Sequence, residues 1–208
     1  MIIIKNNKEI DLMRSAGKIV AETLLLIEEK VRPGITTAEL DRIAEEFITK
    51  HGAKPSFKGL YGFPASLCIS VNEQVVHGIP GGYVLKDGDI VSVDCGANIN
   101  GFHGDAARTF GVGSITKEAE RLINVTEESF FKGIEYAKVG NRLTDISHEI
   151  QNCVEAAGFS VVRDFVGHGI GRVVHEDPDV PNFGKPGRGP KLAQGMALAI
   201  EPMVNLGS

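Results

Sequence analysis

The chain has 208 residues, of which 42% are hydrophobic and 24% charged, a composition typical of a soluble globular protein with one large or two small domains. Its net charge of −5 argues against nucleic acid or another polyanion as a partner, and no apolar run is long enough to cross a bilayer. Three widely spaced cysteines without a CxxC pair, and a first segment unlike a signal peptide, predict free thiols in a cytoplasmic protein.

Two helices are predicted near the N-terminus. Residues 6–31 carry apolar side chains at helical spacing, and the Arg-Pro-Gly that follows breaks the pattern. Residues 36–52 restart a helix, with Thr36 and Glu39 as a capping box and Gly52 as its end.

A second pair of helices repeats this arrangement. Residues 116–140 and 141–158 are each predicted to be helical. Their terminal glycines both lie 106 positions after a glycine of the first pair, Gly34 and Gly52. Because the two offsets agree, the pattern favours an internal duplication.

The strands continue the repeat. Residues 85–94 and 192–201 both read Leu-x-x-Gly, five residues and then an acid, and each half also holds a His-Gly-Ile. We therefore predict an α+β fold within a single domain, 1–208. In it, two pseudo-symmetric helix-helix-strand halves, approximately 7–110 and 116–208, surround one antiparallel sheet.

The stretch VSVDCGANINGFHGDAARTF, residues 91–110, predicts a hairpin that turns at its Asn-Gly pair. In the resulting register Gly96 lies opposite Asp105, and Asp94 points to the same face of the hairpin. Two carboxylates placed there repel one another, and a divalent cation would remove the conflict. The absence of a side chain at Gly96 would leave this face open for the ion.

A solvated strand face is the alternative explanation for two aspartates in a hairpin. The duplication favours a metal site, because Glu201 takes the place of Asp94 after the apolar run MALAI. His168 lies between two glycines, whose small size would let its imidazole be approached. If the halves pair about a pseudo-two-fold axis, both aspartates converge with His168 and Glu201, a donor set that suits two first-row metal ions.

Four segments are similar to one known family. They are VDCGANINGFHGDAARTF, VGHGIGRVVHEDPDVPNFG, LAIEPMV and CISVNEQVVHGIP, and together they resemble the type I methionine aminopeptidases from the first helix to the last residue. The resemblance implies the pita-bread fold with two divalent ions, which could be Co, Mn, Fe or Zn. It implies removal of the initiator methionine from nascent proteins and peptides by a metal-bound hydroxide. It also makes the ribosome a candidate partner, with no membrane and no specific nucleic acid.

The resemblance assigns the metal ligands. Asp94 would chelate one ion, and Asp105 would bridge both. His168 would bind the ion that Asp94 does not hold. Glu201 would be a further ligand and would also carry the proton during hydrolysis.

The resemblance also assigns residues that contact the substrate. His175 would donate a hydrogen bond to the carbonyl oxygen, and His77 would contact the scissile amide on the leaving side. Without the resemblance, His77 would be a strand-end residue satisfied by the backbone, and His175 part of a solvated acidic loop. The positions of the methionine pocket hold Leu60 and Phe63, near Cys68. The family usually has aromatic residues there, and a leucine still forms an apolar wall.

One ligand of the family has no counterpart in these residues. The family has a second bridging glutamate on a strand beyond the match to Glu201, and the last residue here is Ser208. We therefore expect a C-terminally truncated form that lacks the last strands and is weakly active or inactive. Two alternatives stay open: a non-catalytic peptide-binding module of the same fold, and a proline-directed relative such as aminopeptidase P or prolidase.

Overall fold

The structure is a computed structural model, and it describes residues 1–207. Its backbone forms two compact units. The first unit comprises residues 8–119 and 171–174, and the second unit comprises residues 1–7, 120–170 and 175–207. Within the described range, none of the helices has both the length and the apolar character needed to span a bilayer.

The four helices lie where the sequence predicts them. They are α1 (Asn7–Lys30), α2 (Thr37–Lys50), α3 (Lys117–Ile134) and α4 (Leu143–Ala156). At the start of α2 the side chain of Thr36 accepts a hydrogen bond from the backbone N–H of Glu39, as an N-cap residue does. Helix α3 ends six residues before Gly140 because tight turns follow it, in which Tyr136 N–H donates to the carbonyl of Gly133.

The first unit contains a four-stranded antiparallel sheet. Its strands are β1 (Lys54–Pro55), β2 (Leu67–Val71), β3 (Ile90–Ile99) and β4 (Phe102–Gly111). Strand β3 lies at its centre, paired with β4 along its whole length and with β1 and β2 along its other edge. Apolar side chains of α1 and α2, among them Leu24, Ile27 and Leu40, pack with Val91 and Val93 of β3 to form the core.

The predicted hairpin is present in the predicted register. Gly96 pairs with Asp105, and Asp94 pairs with Ala107. Asn100 and Gly101 both have positive φ, 54° and 80°, as a two-residue turn between twisted strands requires. Because side chains alternate along a strand, Asp94 and Asp105 lie on one face of the hairpin.

A close approach of two backbones sets the position of this hairpin beneath α1. A Cβ on Gly104 of β4 would lie 2.6 Å from the backbone nitrogen of Gly17 in α1, so no larger residue fits without moving the helix. We expect Gly104→Ala to lower the free energy of unfolding by about 1–3 kcal/mol. The matched control is Gly17→Ala, whose Cβ would meet nothing within 4 Å and which should stabilise α1 by ~0.5–1 kcal/mol. Urea unfolding midpoints that fall equally in both variants would contradict this explanation.

The second unit contains two short antiparallel sheets. Its strands are β5 (Ser160–Val161), β6 (Gly167–Gly169), β7 (Glu176–Val180), β8 (Leu198–Ala199) and β9 (Val204–Asn205). Strand β6 lies between β7 and β8, and β5 pairs with β9. Side chains of α4, including Ile146, Ile150 and Val154, form the core of this unit with Val161 and Val180.

The single sheet expected from the sequence is therefore three hydrogen-bonded sheets in the described part of the chain. The strand predicted over 192–201 pairs only at Leu198–Ala199. Two features shorten the pairing. Its partner β6 has three residues and an irregular register between His168 and Gly169, and residues 193–196 form a turn.

The two units hold their helix pairs with the same backbone hydrogen bonds. In the first unit Gly34 N–H donates to the carbonyl of Leu85, and in the second Gly140 N–H donates to the carbonyl of Leu192. Isolated bridges recur at the same offsets, joining Thr36 with Val84 and Arg142 with Lys191. These offsets of 106 and 107 positions are those of the sequence repeat.

Candidate functional site

The two aspartates of the β3–β4 hairpin lie close together in the first unit. Both are half-buried, and Cys68 on β2 pairs directly with Asp94. Burial, followed by the negative charges of Asp94 and Asp105, raises the pKa of the Cys68 thiol to about 12. The same causes raise the pKa of the Cys95 thiol well above its ordinary value. The charges of both carboxylates therefore reach the same two thiols.

One detail of the predicted hairpin site is wrong. Gly96 was expected to leave open space beside the carboxylates. Instead, a Cβ at this position would lie 2.7 Å from the Cβ of Ser56 and 2.8 Å from the ring of Phe57. Glycine is needed here because the segment after β1 packs directly on β3, and the space is filled by protein.

The raised thiol pKa values predict selective chemical modification. At pH 8 Cys68 and Cys95 are fully protonated in the folded chain, because their pKa values lie far above this pH, and the thiolate is the reactive form. Cys153 is partly exposed. We expect iodoacetamide to modify only Cys153 in the native protein and all three cysteines in urea, as measured by peptide mass spectrometry. Rapid labelling of Cys68 in the native protein would contradict the environment described for it.

The residues of the predicted methionine pocket pack together. Cys68 forms a small buried apolar cluster with Phe57 and Val174, and Leu60 and Phe63 pack against that cluster. Phe57 and Val174 were not among the residues predicted to form the pocket. Val174 directly precedes a predicted substrate-contacting histidine, but nothing local distinguishes either residue from an ordinary core position.

His77 lies on the exposed loop after β2 and has a left-handed backbone, with φ of 61°. The next residue must be glycine, because a Cβ on Gly78 would lie 2.1 Å from the carbonyl oxygen of Ile69. Gly78 N–H donates to the hydroxyl of Ser70, and Gly78 accepts from Ile69 N–H. A non-glycine residue held in this region is unfavourable, and such strain is concentrated at functional sites.

In the second unit, the side chain of His168 is 9% exposed and has contacts at both ring nitrogens. Nδ1 lies 2.9 Å from the carbonyl oxygen of Gly169, and Nε2 lies 3.1 Å from a carboxylate oxygen of Glu201. A carbonyl oxygen can only accept, so Nδ1 donates in this contact, and Nε2 is the ring nitrogen that faces the carboxylate of Glu201. In the neutral form of the ring, Nε2 and the carboxylate are both acceptors, and a cation bound by both would satisfy them.

This donor chemistry fits a divalent metal ion. Histidines that bind metals commonly donate their other ring N–H to a backbone carbonyl, which fixes the tautomer and the ring orientation. Imidazole and carboxylate donors suit first-row transition metals. His168 and Glu201 meet both conditions, so this pair is prepared to hold a cation.

The glycines on either side of His168 were expected to leave its imidazole accessible, and this expectation is wrong. A Cβ on Gly167 would lie 2.3 Å from the carbonyl oxygen of Ala199, and one on Gly169 would lie 2.1 Å from that of Asp177. Both glycines are required because β7 and β8 approach the backbone of β6 closely. His168 is accordingly buried and its ring is firmly held.

The ring of His175 lies beside that of His168. Their centroids are 4.5 Å apart in an edge-to-face arrangement, and His175 is exposed. The second unit thus brings together three of the predicted site residues, His168, His175 and Glu201. An imidazole that is accessible next to a cation site can donate a hydrogen bond to a molecule bound there.

One contact of Glu201 could not be predicted from the sequence. Asn182 is fully buried, and its side-chain amide donates to the backbone carbonyl of Glu201 at 2.9 Å. Its own carbonyl oxygen has no hydrogen-bond partner in the described residues. Asn182 lies in the segment Pro-Asn-Phe-Gly, whose composition is typical of a surface loop, so the sequence does not indicate this contact.

Comparison with known proteins identifies related chains. A model of metallopeptidase family M24 matches residues 11–207. The methionine aminopeptidase of Clostridium perfringens (strain 13 / Type A) is 80% identical over 208 residues, which cover 100% of this chain and 84% of that protein. Methionine aminopeptidase 1 of Bacillus subtilis (strain 168) is 58% identical over 208 residues, with the same coverage.

Solved structures share the fold. Methionine aminopeptidase from Thermotoga maritima has a TM-score of 0.98 and 49% identity, covering 100% of this chain and 84% of that one. A prolidase from Pyrococcus horikoshii OT3 has a TM-score of 0.84 and 27% identity, covering 96% of this chain and 55% of that one. These neighbours confirm the α+β, pita-bread fold predicted from the sequence.

Proposed function

Because the chain belongs to metallopeptidase family M24, and within it to the methionine aminopeptidases, we propose that it removes an N-terminal methionine from peptides and nascent proteins. The family implies that hydrolysis depends on a divalent metal. We propose that 1–208 acts as one catalytic domain built from an internal repeat, approximately 7–110 and 116–208. The recurring hydrogen bonds of the two helix pairs support this view.

We propose that Asp94, Asp105, His168 and Glu201 bind two divalent ions, chosen from Mn, Fe, Co and Zn. The observation that carries the proposal is the buried imidazole of His168, which is held through Nδ1 by the carbonyl of Gly169 and places Nε2 3.1 Å from a carboxylate oxygen of Glu201. The adjacent carboxylates of Asp94 and Asp105 support it, since two like charges on one face favour a cation between them. Divalent ions bound by these residues would lower the pKa of water and polarise a carbonyl oxygen.

Side chains of this protein carry out the remaining steps of peptide hydrolysis. Glu201 accepts a proton from the attacking water and returns it to the leaving amine. His175, exposed beside His168, donates a hydrogen bond to the substrate carbonyl oxygen as negative charge develops on it. His77 contacts the scissile amide on the leaving side, and its strained backbone supports a functional role.

The apolar cluster provides the specificity for methionine. The cluster offers a thioether side chain the walls of Phe57, Leu60, Phe63 and Val174, and soft contacts between sulfur and aromatic rings. The Cys68 thiol stays protonated and so adds an apolar surface without a charge. A charged or strongly polar first side chain would lose its hydration there without gaining a partner.

Release of free methionine from Met-Ala-Ser, with Mn²⁺, Co²⁺ or Fe²⁺ added to metal-free protein, tests the proposal. We expect release that a chelator stops and that re-addition of metal restores. An x-Pro dipeptide serves as the competing substrate, and its preferred cleavage would identify a proline-directed relative. Bound metal without turnover of either peptide would identify a non-catalytic peptide-binding module.

The setting of this reaction is also a proposal. Three free cysteines suit a reducing compartment, which supports action in the cytoplasm on chains that emerge from the ribosome. Co-sedimentation of the protein with ribosomes in low salt tests the ribosomal part. Absence of binding would leave free peptides and released chains as the substrates.

A further inference from the structure

The second unit holds a buried ion pair that the proposed reaction does not use. Lys5 Nζ lies 2.5 Å from a carboxylate oxygen of Glu176, and the two side chains are 3% and 2% exposed. Burying both charges costs hydration free energy that the pair regains only with good geometry, and apolar side chains in place of such pairs often stabilise a fold as well or better. Stability of the fold alone therefore does not explain why this position holds an ion pair.

Its location indicates the role. Glu176 directly follows His175 and is the first residue of β7. It pairs with Gly169, at the irregular register that begins at His168. The carboxylate of Glu176 therefore holds the chain next to His175 and opposite the residue that follows His168.

The other end of the pair is firmly anchored. Lys5 Nζ also donates to the carbonyl of Ile3, and Lys5 N–H donates to the carbonyl of Gly195 at 2.8 Å. Gly195 has a left-handed backbone, and a Cβ there would lie 2.5 Å from the carbonyl oxygen of Lys5. The segment before α1 is thus docked on the turn at residues 193–196, and Lys5 is a fixed point.

We propose that Lys5 and Glu176 are positioning residues, which hold His175 in the orientation that meets the substrate carbonyl. This inference rests on the proposed function, because it assigns His175 its role in hydrolysis. An ion pair suits the task because charge-assisted hydrogen bonds are directional, whereas apolar contacts leave a neighbouring backbone free to adjust. The first residues of the chain therefore contribute to catalysis without touching the substrate.

The test separates stability from orientation by comparing Lys5→Met with Lys5→Met/Glu176→Met. The single variant leaves a buried charge without its partner and should unfold at lower urea concentration. The double variant removes both charges and should recover the unfolding midpoint. In both variants we expect kcat for Met-Ala-Ser to fall about 10- to 100-fold, with KM and Mn²⁺ affinity changed less than about threefold.

Lys18→Met is the matched control, since it removes a lysine from an exposed pair with Glu22 on α1. It should leave kcat and stability unchanged. Recovery of kcat together with stability in the double variant would overturn the proposal, because the pair would then be merely structural. Full kcat per folded molecule in Lys5→Met would overturn it as well.

A second readout does not depend on turnover. The imidazole signals of His175 in a ¹H–¹⁵N spectrum, assigned with His175→Gln, should shift in the double variant and stay in place in Lys18→Met. If the unaltered chain fails to release methionine, the proposed function fails, yet these spectra still decide whether the pair orients His175. Unmoved His175 signals in the double variant would overturn the positioning role.

Discussion

Replacing Asp94 and Asp105 together by alanine is expected to abolish tight Mn²⁺ binding and to lower the release of methionine at least about 10³-fold. The two carboxylates share one face of the hairpin, so their removal takes away half of the proposed donor set and its negative charge. Titration calorimetry with Mn²⁺ measures the first effect, and the peptide assay measures the second. Neither side chain belongs to the apolar core, so the fold should persist.

Asp11→Ala is the control for this double variant, because Asp11 is an exposed aspartate on α1. It should bind Mn²⁺ as the unaltered chain does. Unchanged metal content in the Asp94/Asp105 double variant would refute the site. Circular dichroism spectra and urea unfolding midpoints of the double variant and of Asp11→Ala check that lost metal binding does not result from unfolding.

His175→Ala should produce a different pattern, with kcat lowered about 10²–10³-fold and Mn²⁺ affinity changed less than about threefold. The imidazole is exposed beside His168 and is proposed to bind the substrate oxygen, so its loss removes stabilisation of the transition state and leaves the ligands in place. Steady-state kinetics and metal titration on the same preparation separate the two effects.

The control is His51→Ala, which removes an exposed histidine at the C-terminal end of α2. It should leave kcat and metal affinity unaltered, although it can weaken the end of the helix slightly. Equal losses of turnover and of metal in His175→Ala would show that His175 acts through the structure of the site and does not meet the substrate.

The hairpin could be predicted from the sequence because local chemistry fixes it. An Asn-Gly pair sets the turn, the turn sets the register, and the register decides which residues share a face. The opposition of Gly96 and Asp105 follows from these rules alone. The space beside Gly96 could not be predicted, because it is filled by Phe57 from another segment.

The extent of the strands was harder to predict than their location. The pattern at 192–201 resembles that at 85–94, yet only Leu198–Ala199 pairs with a neighbour. Pairing depends on the partner, and β6 has only three residues and an irregular register between His168 and Gly169. The two halves of the repeat are therefore more alike in their helix pairs and the glycines that end them than in their strands.

The residues that support the site left no signal in the sequence. Lys5 and Asn182 are polar residues that no sequence pattern places in the interior, yet both side chains are buried. Each acts on a residue about 20 or 170 positions away, so its role depends on tertiary contacts that periodicity does not encode. The candidate ligands could be predicted, because their residue types and their positions in the repeat both indicate metal binding.

The most direct measurement is X-ray diffraction from crystals grown with Mn²⁺, with anomalous differences collected at the manganese absorption edge. We expect two peaks, each within bonding distance of carboxylate or imidazole atoms of Asp94, Asp105, His168 and Glu201, with His168 binding through Nε2. Crystals of active protein in which the manganese lies on other side chains, or in which Nε2 of His168 bonds only to Glu201, would contradict the account.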